Sequence, residues 1–361
     1  MFEPLKLVYR YRRSGEGQNS GCSLRAAQIS GASRRVFTHW IPAFAGMTMV
    51  VMGSALATQA WAQTYPAKQI RIIVPFPPGA FNDTLGRTIA QKFVETNFAQ
   101  AIVDNRPGAG STIGTDIAAK SPGDGYTILG VAVPFAVNAS LYAKLPYDTL
   151  KDFAAIIYAG ATPNMLVMHP SVPVSSIKEL IALAKSKPNQ LNYASTGSGT
   201  SNHMSMELFK LMTGTQIVHV PYKGSAPALV DLVGGHVMMI FDNTPNVLPH
   251  VKGGKVKAIA VTSMKRSELA PEVPTVDESG VKGFEVSVWF GVVAPASTPR
   301  EIVNRLNSEI NKIIGMPDVR QRFVNSGVTP VGGSADLFAD HLRSEVAKWS
   351  KVVKATGARV E

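Results

Sequence analysis

Residues 69–83 read QIRIIVPFPPGAFND. The β-branched run Gln69 to Val74 has the character of a buried strand. Pro75, Pro77, Pro78 and Gly79 stop it in a tight turn. A helical pattern then begins near Asn82, with Leu85, Ile89 and Phe93 on one face. Strand, turn and helix in that order point to α/β architecture.

The same alternation continues outward. Ala101 to Asp104 reads as a second strand, Gly108-Ala109-Gly110-Ser111 opens a helix, and Tyr126 to Val133 is a third strand. Two longer apolar segments, Ile156 to His169 and Val286 to Pro295, read as extended crossings. Between them lies a self-contained set. Helices are expected at Ser176 to Lys187, Asn202 to Met212 and Ala226 to Val233. Strands are expected at Leu191 to Ser195, Gln216 to Val220, Val237 to Asp242 and Val256 to Val261. The expected fold therefore has two lobes, each a sheet flanked by helices, with a cleft between them. Lobe one would be residues 68–165 plus 286–361, and lobe two 166–285. Thr298-Pro299-Arg300-Glu301 reads as a capping box with proline at the first helical position. The stripes Ile302, Leu306, Ile310, Ile313 and Phe338, Leu342, Val346, Trp349, Val353 are core.

Composition supports a globular chain, 45% hydrophobic and 17% charged over 361 residues. The formal charge of +11 is inflated by the first 62 residues, which hold seven basic and two acidic side chains. Without them 29 basic and 23 acidic residues remain. That excess is dispersed, with no basic run of the kind that tracks a phosphate backbone, so nucleic acid is not an expected partner. The lone cysteine, Cys22, lies in the same leader, so no disulfide and no thiolate site is expected beyond it.

Residues 36–62 carry no Asp, Glu, Lys or Arg, follow Arg34-Arg35, and end in Ala60-Trp61-Ala62. Basic flank, apolar run and A-x-A site describe a secretory signal, with the mature chain starting near Gln63. The run is also long enough for a retained membrane anchor. Gly, Thr, Ser and Gln thin its second half and favour cleavage.

Two segments suit ligand binding. In Pro75 to Asp83 a strand runs through a turn into a helix whose first amides lack internal partners and whose dipole adds positive character. Such an end is an anion seat, though the same turn serves equally as a capped junction without ligand. Tyr193-Ala194-Ser195-Thr196-Gly197-Ser198-Gly199-Thr200-Ser201-Asn202-His203 repeats the arrangement in lobe two, with glycines for close approach and hydroxyl donors. Two facing helix ends suit a small carboxylate. Gly108-Ala109-Gly110-Ser111-Thr112-Ile113-Gly114 misses the dinucleotide spacing by one residue. A hydrolase using Ser198 with His203 and Asp242 is the alternative, but no nucleophile motif supports it. His219, His236 and His250 lack ligand spacing, so neither metal nor cofactor is expected.

Seven segments in order resemble the Bug family, the substrate-binding proteins of tripartite tricarboxylate transporters. They are YPAKQIRIIVPFPPGAFND, DNRPGAGSTIG, SPGDGYTIL, LNYASTGSGTSNH, VHVPYKGSAPALVDLVGGHV, APEVPTVDESG and WFGVVAPASTP. The likeness runs from Tyr65 to Glu361. It implies a periplasmic-binding-protein fold that closes on a small organic acid, not an enzyme. The acid would pass to a transporter's membrane subunits or be reported to a sensor. By motif, the implied ligand residues are Phe76, Pro78, Gly79, Ala80, Phe81 and Asp83 in lobe one, and Ser195, Thr196, Gly197, Ser198, Gly199 and His203 in lobe two. Tyr222 in VPYKG and Asp242 in IFDN complete the set. The family pattern often has two glycines where this chain has Gly79-Ala80. A methyl and the Phe81 ring there should narrow the pocket and favour an apolar-bodied acid. The expected protein is a periplasmic monomer.

Overall fold

The computed structural model describes residues 65–359. The expected leader and its cleavage site lie outside them. Among the described residues no helix is long and apolar enough to cross a membrane.

The fold is α/β and two-lobed. In lobe one, β1 (Ile70–Val74) pairs in parallel with β2 (Ala101–Asn105) and β3 (Thr127–Ala132), while β9 (Ser287–Pro295) runs antiparallel to β3. Helix α1 (Phe81–Glu95) follows β1, α2 (Thr112–Ala119) follows β2 through a 3-10 turn, and α3 (Val133–Leu141) follows β3. Isoleucine and valine fill β1 because both its faces are covered.

Lobe two repeats the logic. Its strands β5 (Asn192–Ser195), β6 (Val218–Pro221) and β7 (Met239–Asn243) are parallel. Helix α5 (Ser201–Thr213) follows β5, α6 (Ser225–Val233) follows β6 and α7 (Thr244–Lys252) follows β7, while α4 (Ile177–Ser186) leads into β5. Alternation divides the core: Met239 and Phe241 of β7 face one apolar cluster, and Ile240 between them faces another.

One strand serves both sheets. β4 (Phe153–Met168) pairs with β9 as far as Pro163, and from Asn164 onward with β7 and with β8 (Lys257–Val261). The chain returns beside this switch. Thr262 N–H donates to Asn164 O at 2.9 Å, and Val286 N–H donates to Thr262 O at 2.9 Å. The Thr262 hydroxyl accepts from Asn164 N–H and donates to Val286 O at 2.6 Å. Both crossings are thus tied by one buried threonine.

The C-terminal segment packs on lobe one as α8 (Arg300–Gly315), α9 (Pro317–Asn325), β10 (Thr329–Pro330) and α10 (Ala335–Thr356). Three helices have no counterpart among the elements expected from sequence. α3 is apolar on nearly every side, so its sequence shows no helical stripe. α7 holds Pro245 and Pro249, which signal a breaker, and α9 is a short polar helix opened by Pro317. The expected capping box is also absent. Pro299 is the N-cap and its carbonyl accepts from Ile302 and Val303, so Thr298 sits one residue too early to cap. Its hydroxyl is buried without a partner.

Candidate ligand-binding cleft

The parallel strands of both lobes end at a common cleft of about 590 Å³. Crevices at the carboxyl ends of strands are where open α/β sheets take ligands. Here five helices start on the cleft wall. Phe81 and Asn82 of α1, Val133 and Pro134 of α3, Ser201 and Asn202 of α5, Ser225 of α6, and Pro245 and Asn246 of α7 all line it. None of the five has a side-chain N-cap hydrogen bond. No lysine, arginine or histidine lines the cleft. Positive potential there comes from backbone N–H groups and helix dipoles.

The two walls differ. The lobe-one wall is largely apolar, with Phe76, Ala80, Phe81, Val288, Phe290 and Val328. The Phe81 ring packs on Phe290 with centroids 4.5 Å apart and edge-on to Phe323 at 5.0 Å. The lobe-two wall is polar: Thr196, Thr200, Ser201, Asn202, Ser225, Asn243 and Asn246.

Hydrogen bonds fix both turns. Asp83 is buried and spans the lobe-one turn: Gly79 N–H donates to Oδ2 at 3.0 Å, Arg87 Nε at 2.9 Å, and Asn105 Nδ2 to Oδ1 at 2.9 Å. Burial opposes its ionisation, but bonds from Arg87, Gly79 and Asn105 hold the carboxyl below the usual range. Gly79 has φ +87°, a conformation L side chains rarely adopt. In lobe two Thr196 donates to Asn202 Oδ1 at 2.6 Å, while Asn202 Nδ2 donates to Phe241 O and Asp242 Oδ1. Gly199 has φ +79°, and a Cβ there would meet Leu141 Cδ2 of α3 at 2.6 Å. Glycine permits this contact between the lobes.

Asp242 is the one charged side chain on the wall. It accepts from Ser225 Oγ, Asn202 Nδ2, Asn243 N–H and Asn246 Nδ2. Burial pushes its carboxyl up, against the downward pull of those bonds. Among the described residues no three metal-ligating side chains cluster.

Residues 85–358 match the tripartite tricarboxylate transporter family receptor, TctC. The chain belongs to this family. The receptor is 39% identical over 310 residues to Protein BugT of Bordetella pertussis, covering 85% of this chain and 95% of that one. It is similar in structure to R. palustris Rpa4515 with adipate, with 38% identity and a TM-score of 0.73 over 81% of this chain and 98% of that one. It is also similar to MatC from Rhodopseudomonas palustris with bound malate, with 29% identity and a TM-score of 0.71 over 80% and 100%. The family and the fold are those of two-lobed solute-binding proteins.

Of the residues expected from sequence, Phe76, Gly79, Ala80, Phe81, Thr196 and Asp242 line the receptor's cleft. Pro78, Asp83, Ser195, Gly197, Ser198, Gly199, His203 and Tyr222 do not. Asp83 braces its turn, and the Tyr222 hydroxyl is spent on Asp231 at 2.7 Å. The imagined Ser198–His203–Asp242 triad is not assembled. His203 Nδ1 accepts from Gly199 N–H at 3.1 Å, its Nε2 faces Glu207, and Asp242 is held by Ser225 and three asparagines. Sequence reasoning missed Asn82, the α3 end, Ser225, Asn246 and, on the apolar wall, Val288, Phe290 and Val328. Ser225 and Asn246 carried a signal, since Gly224-Ser225 and Asn243-Thr244-Pro245 are both helix-start patterns.

Proposed function

We propose that this receptor is exported, loses its leader near Ala62, and closes its lobes in the periplasm over one small carboxylate. It acts as a carrier and not as an enzyme. The lobes divide where β4 changes partners, at Pro163 and Asn164, and again at Val286. The observation that carries the proposal is the convergence of five helix N-termini without side-chain caps on a cleft that has no cationic side chain. Amides and hydroxyls supply the donors, each hydrogen bond to a charged group being worth roughly 1.5–3 kcal/mol. The relatives whose structures hold adipate and malate support the carboxylate class.

The ligand carboxylate belongs at the polar wall, among Thr196, Thr200, Ser201 and the first amides of α5. The rest of the ligand lies along Phe76, Phe81 and Phe290. That wall favours an apolar body such as an alkyl chain or an aromatic ring. Closure presents a surface that transporter membrane subunits or a sensor protein read.

Thermal melting of the purified receptor against adipate, malate, benzoate-type acids and acidic amino acids tests this. An acid at roughly a hundred times its Kd adds about 2.7 kcal/mol of stability. A shift with apolar-bodied acids is expected. Refolding before the panel removes any acid carried through purification, and a refolded receptor that no acid stabilises would refute the carboxylate assignment.

A further inference from the structure

Beneath the Ser195–Thr200 turn lies a column of three rings that the cleft does not touch, with Tyr193 and His203 buried and His219 half-buried. Tyr193, His219 and His203 stack with centroids 4.9 Å and then 4.2 Å apart, the planes tilted by 19° and 18°. Each histidine is bonded to the turn above it. Gly199 N–H donates to His203 Nδ1 at 3.1 Å. Gly197 N–H donates to Ser195 Oγ at 3.1 Å, and Ser195 Oγ lies 2.6 Å from His219 Nε2. Ser195 is fully buried, so its own hydroxyl proton takes His219 Nε2 as acceptor. Both ring nitrogens that face the turn are therefore lone-pair acceptors.

We infer that His203 and His219 are positioning residues for the ligand. As neutral acceptors they set the turn so that Thr196, Thr200 and the first amides of α5 face the cleft, and a proton on either ring releases the turn and weakens binding. The inference rests on the ligand assignment above for its effect on affinity, not for its effect on the turn.

The surroundings keep both rings neutral. Glu207 Oε1 is 3.9 Å from His203 Nε2, but that oxygen already accepts from Tyr193 OH and Lys210 Nζ at 2.7 Å each. The α3 residues that meet the turn, Val137, Asn138 and Leu141, are uncharged. Burial pulls His203 down to about 4 against the Glu207 charge, and burial with the His203 and Lys210 charges pulls His219 down to about 3. Above these values the turn is held; below them it is not.

His203→Asn places an amide oxygen near the Nδ1 position and keeps an acceptor, whereas His203→Leu removes it. Amide exchange and histidine nitrogen shifts are read by NMR on the whole receptor, and adipate is the probe for binding. At neutral pH His203 should be unprotonated at Nδ1. Gly199 exchange should rise at least about tenfold in the Leu variant and return in the Asn variant. Adipate affinity should fall about tenfold with Leu and recover with Asn. Without ligand, the Gly199 amide shift should move together with the His203 nitrogen shifts as acid protonates the ring, a readout that adipate's own carboxyls do not enter. A proton on Nδ1 at neutral pH, unchanged Gly199 exchange, or faster exchange with full adipate affinity overturns the inference. Failure of every form to bind adipate while the exchange pattern holds overturns the ligand assignment instead. Ser195→Ala, read through Gly197 exchange, repeats the test from the His219 side should His203→Leu not fold.

Discussion

Two sets of helix N-termini in this molecule obey different rules. Away from the cleft, α4 and α10 are capped by Ser176 and Ser334, whose hydroxyls accept from Glu179 and Leu337 N–H. Those helices and α8 and α9 carry Glu179, Asp336, Glu301 and Asp318 in the first turn. These acids offset the positive end of the dipole. At the cleft, α3, α5, α6 and α7 have neither a side-chain cap nor a first-turn acid, and in α1 the acid, Asp83, is bound by Arg87 and Asn105. α2, entered from a 3-10 turn, is the exception outside the cleft. Local stability is withheld where a ligand anion can supply it. A helix end left bare costs about 1 kcal/mol against a capped one, a cost that a carboxylate seated there as proposed would recover.

The comparison breaks most sharply if an outer-type cap is moved into the cleft. Thr200 is the N-cap of α5 and its side chain does not cap. Thr200→Asp should fill the seat with a resident carboxylate. Carboxylate affinity should drop at least about 100-fold, the loss of two hydrogen bonds to charge at roughly 1.5 kcal/mol each. The melting temperature without ligand should hold or rise, because Asp is a good cap. Titration calorimetry and a thermal melt read the two effects. Unchanged affinity would mean that the α5 end is not the seat.

The turns that open α1 and α5 were legible because proline, glycine and small hydroxyl residues punctuate them. Their partners were not. That α6 and α7 face the same cleft follows from β7 pairing with β4 and β5, a long-range strand order no local pattern encodes. Phe290, Val288 and Val328 read as core, since an apolar wall and an apolar interior use the same residues. Ser195, Asp83 and His203 read as ligand contacts but brace the turns beneath it. Bracing and binding need the same donors and acceptors, so residue type alone does not separate them. β4 and β9 stood out as long apolar runs because both are largely buried, although only β4 crosses between the sheets.

Asn82 sharpens the comparison at the level of one side chain. It sits in the first turn of α1, lines the cleft, and its buried Oδ1 has no partner. An orphaned buried polar group costs about 1–3 kcal/mol. Asn82→Leu should therefore raise the stability of the free receptor by about 1 kcal/mol, while weakening acid binding about tenfold. Chemical denaturation and calorimetry measure both. A variant that loses stability and keeps affinity would make Asn82 part of the scaffold.

The smallest effect lies on the outer set. Ser334 caps α10 from an exposed position, and no residue of α10 lines the cleft. Ser334→Ala strands a backbone donor that only water can then satisfy, so it should cost about 1 kcal/mol of stability. Affinity should stay within about twofold, because the lost bond is the same in the free and bound receptor and cancels from the binding equilibrium. A larger change in affinity would show that α10 moves on closure, and the division between the two sets of helix ends would then need redrawing.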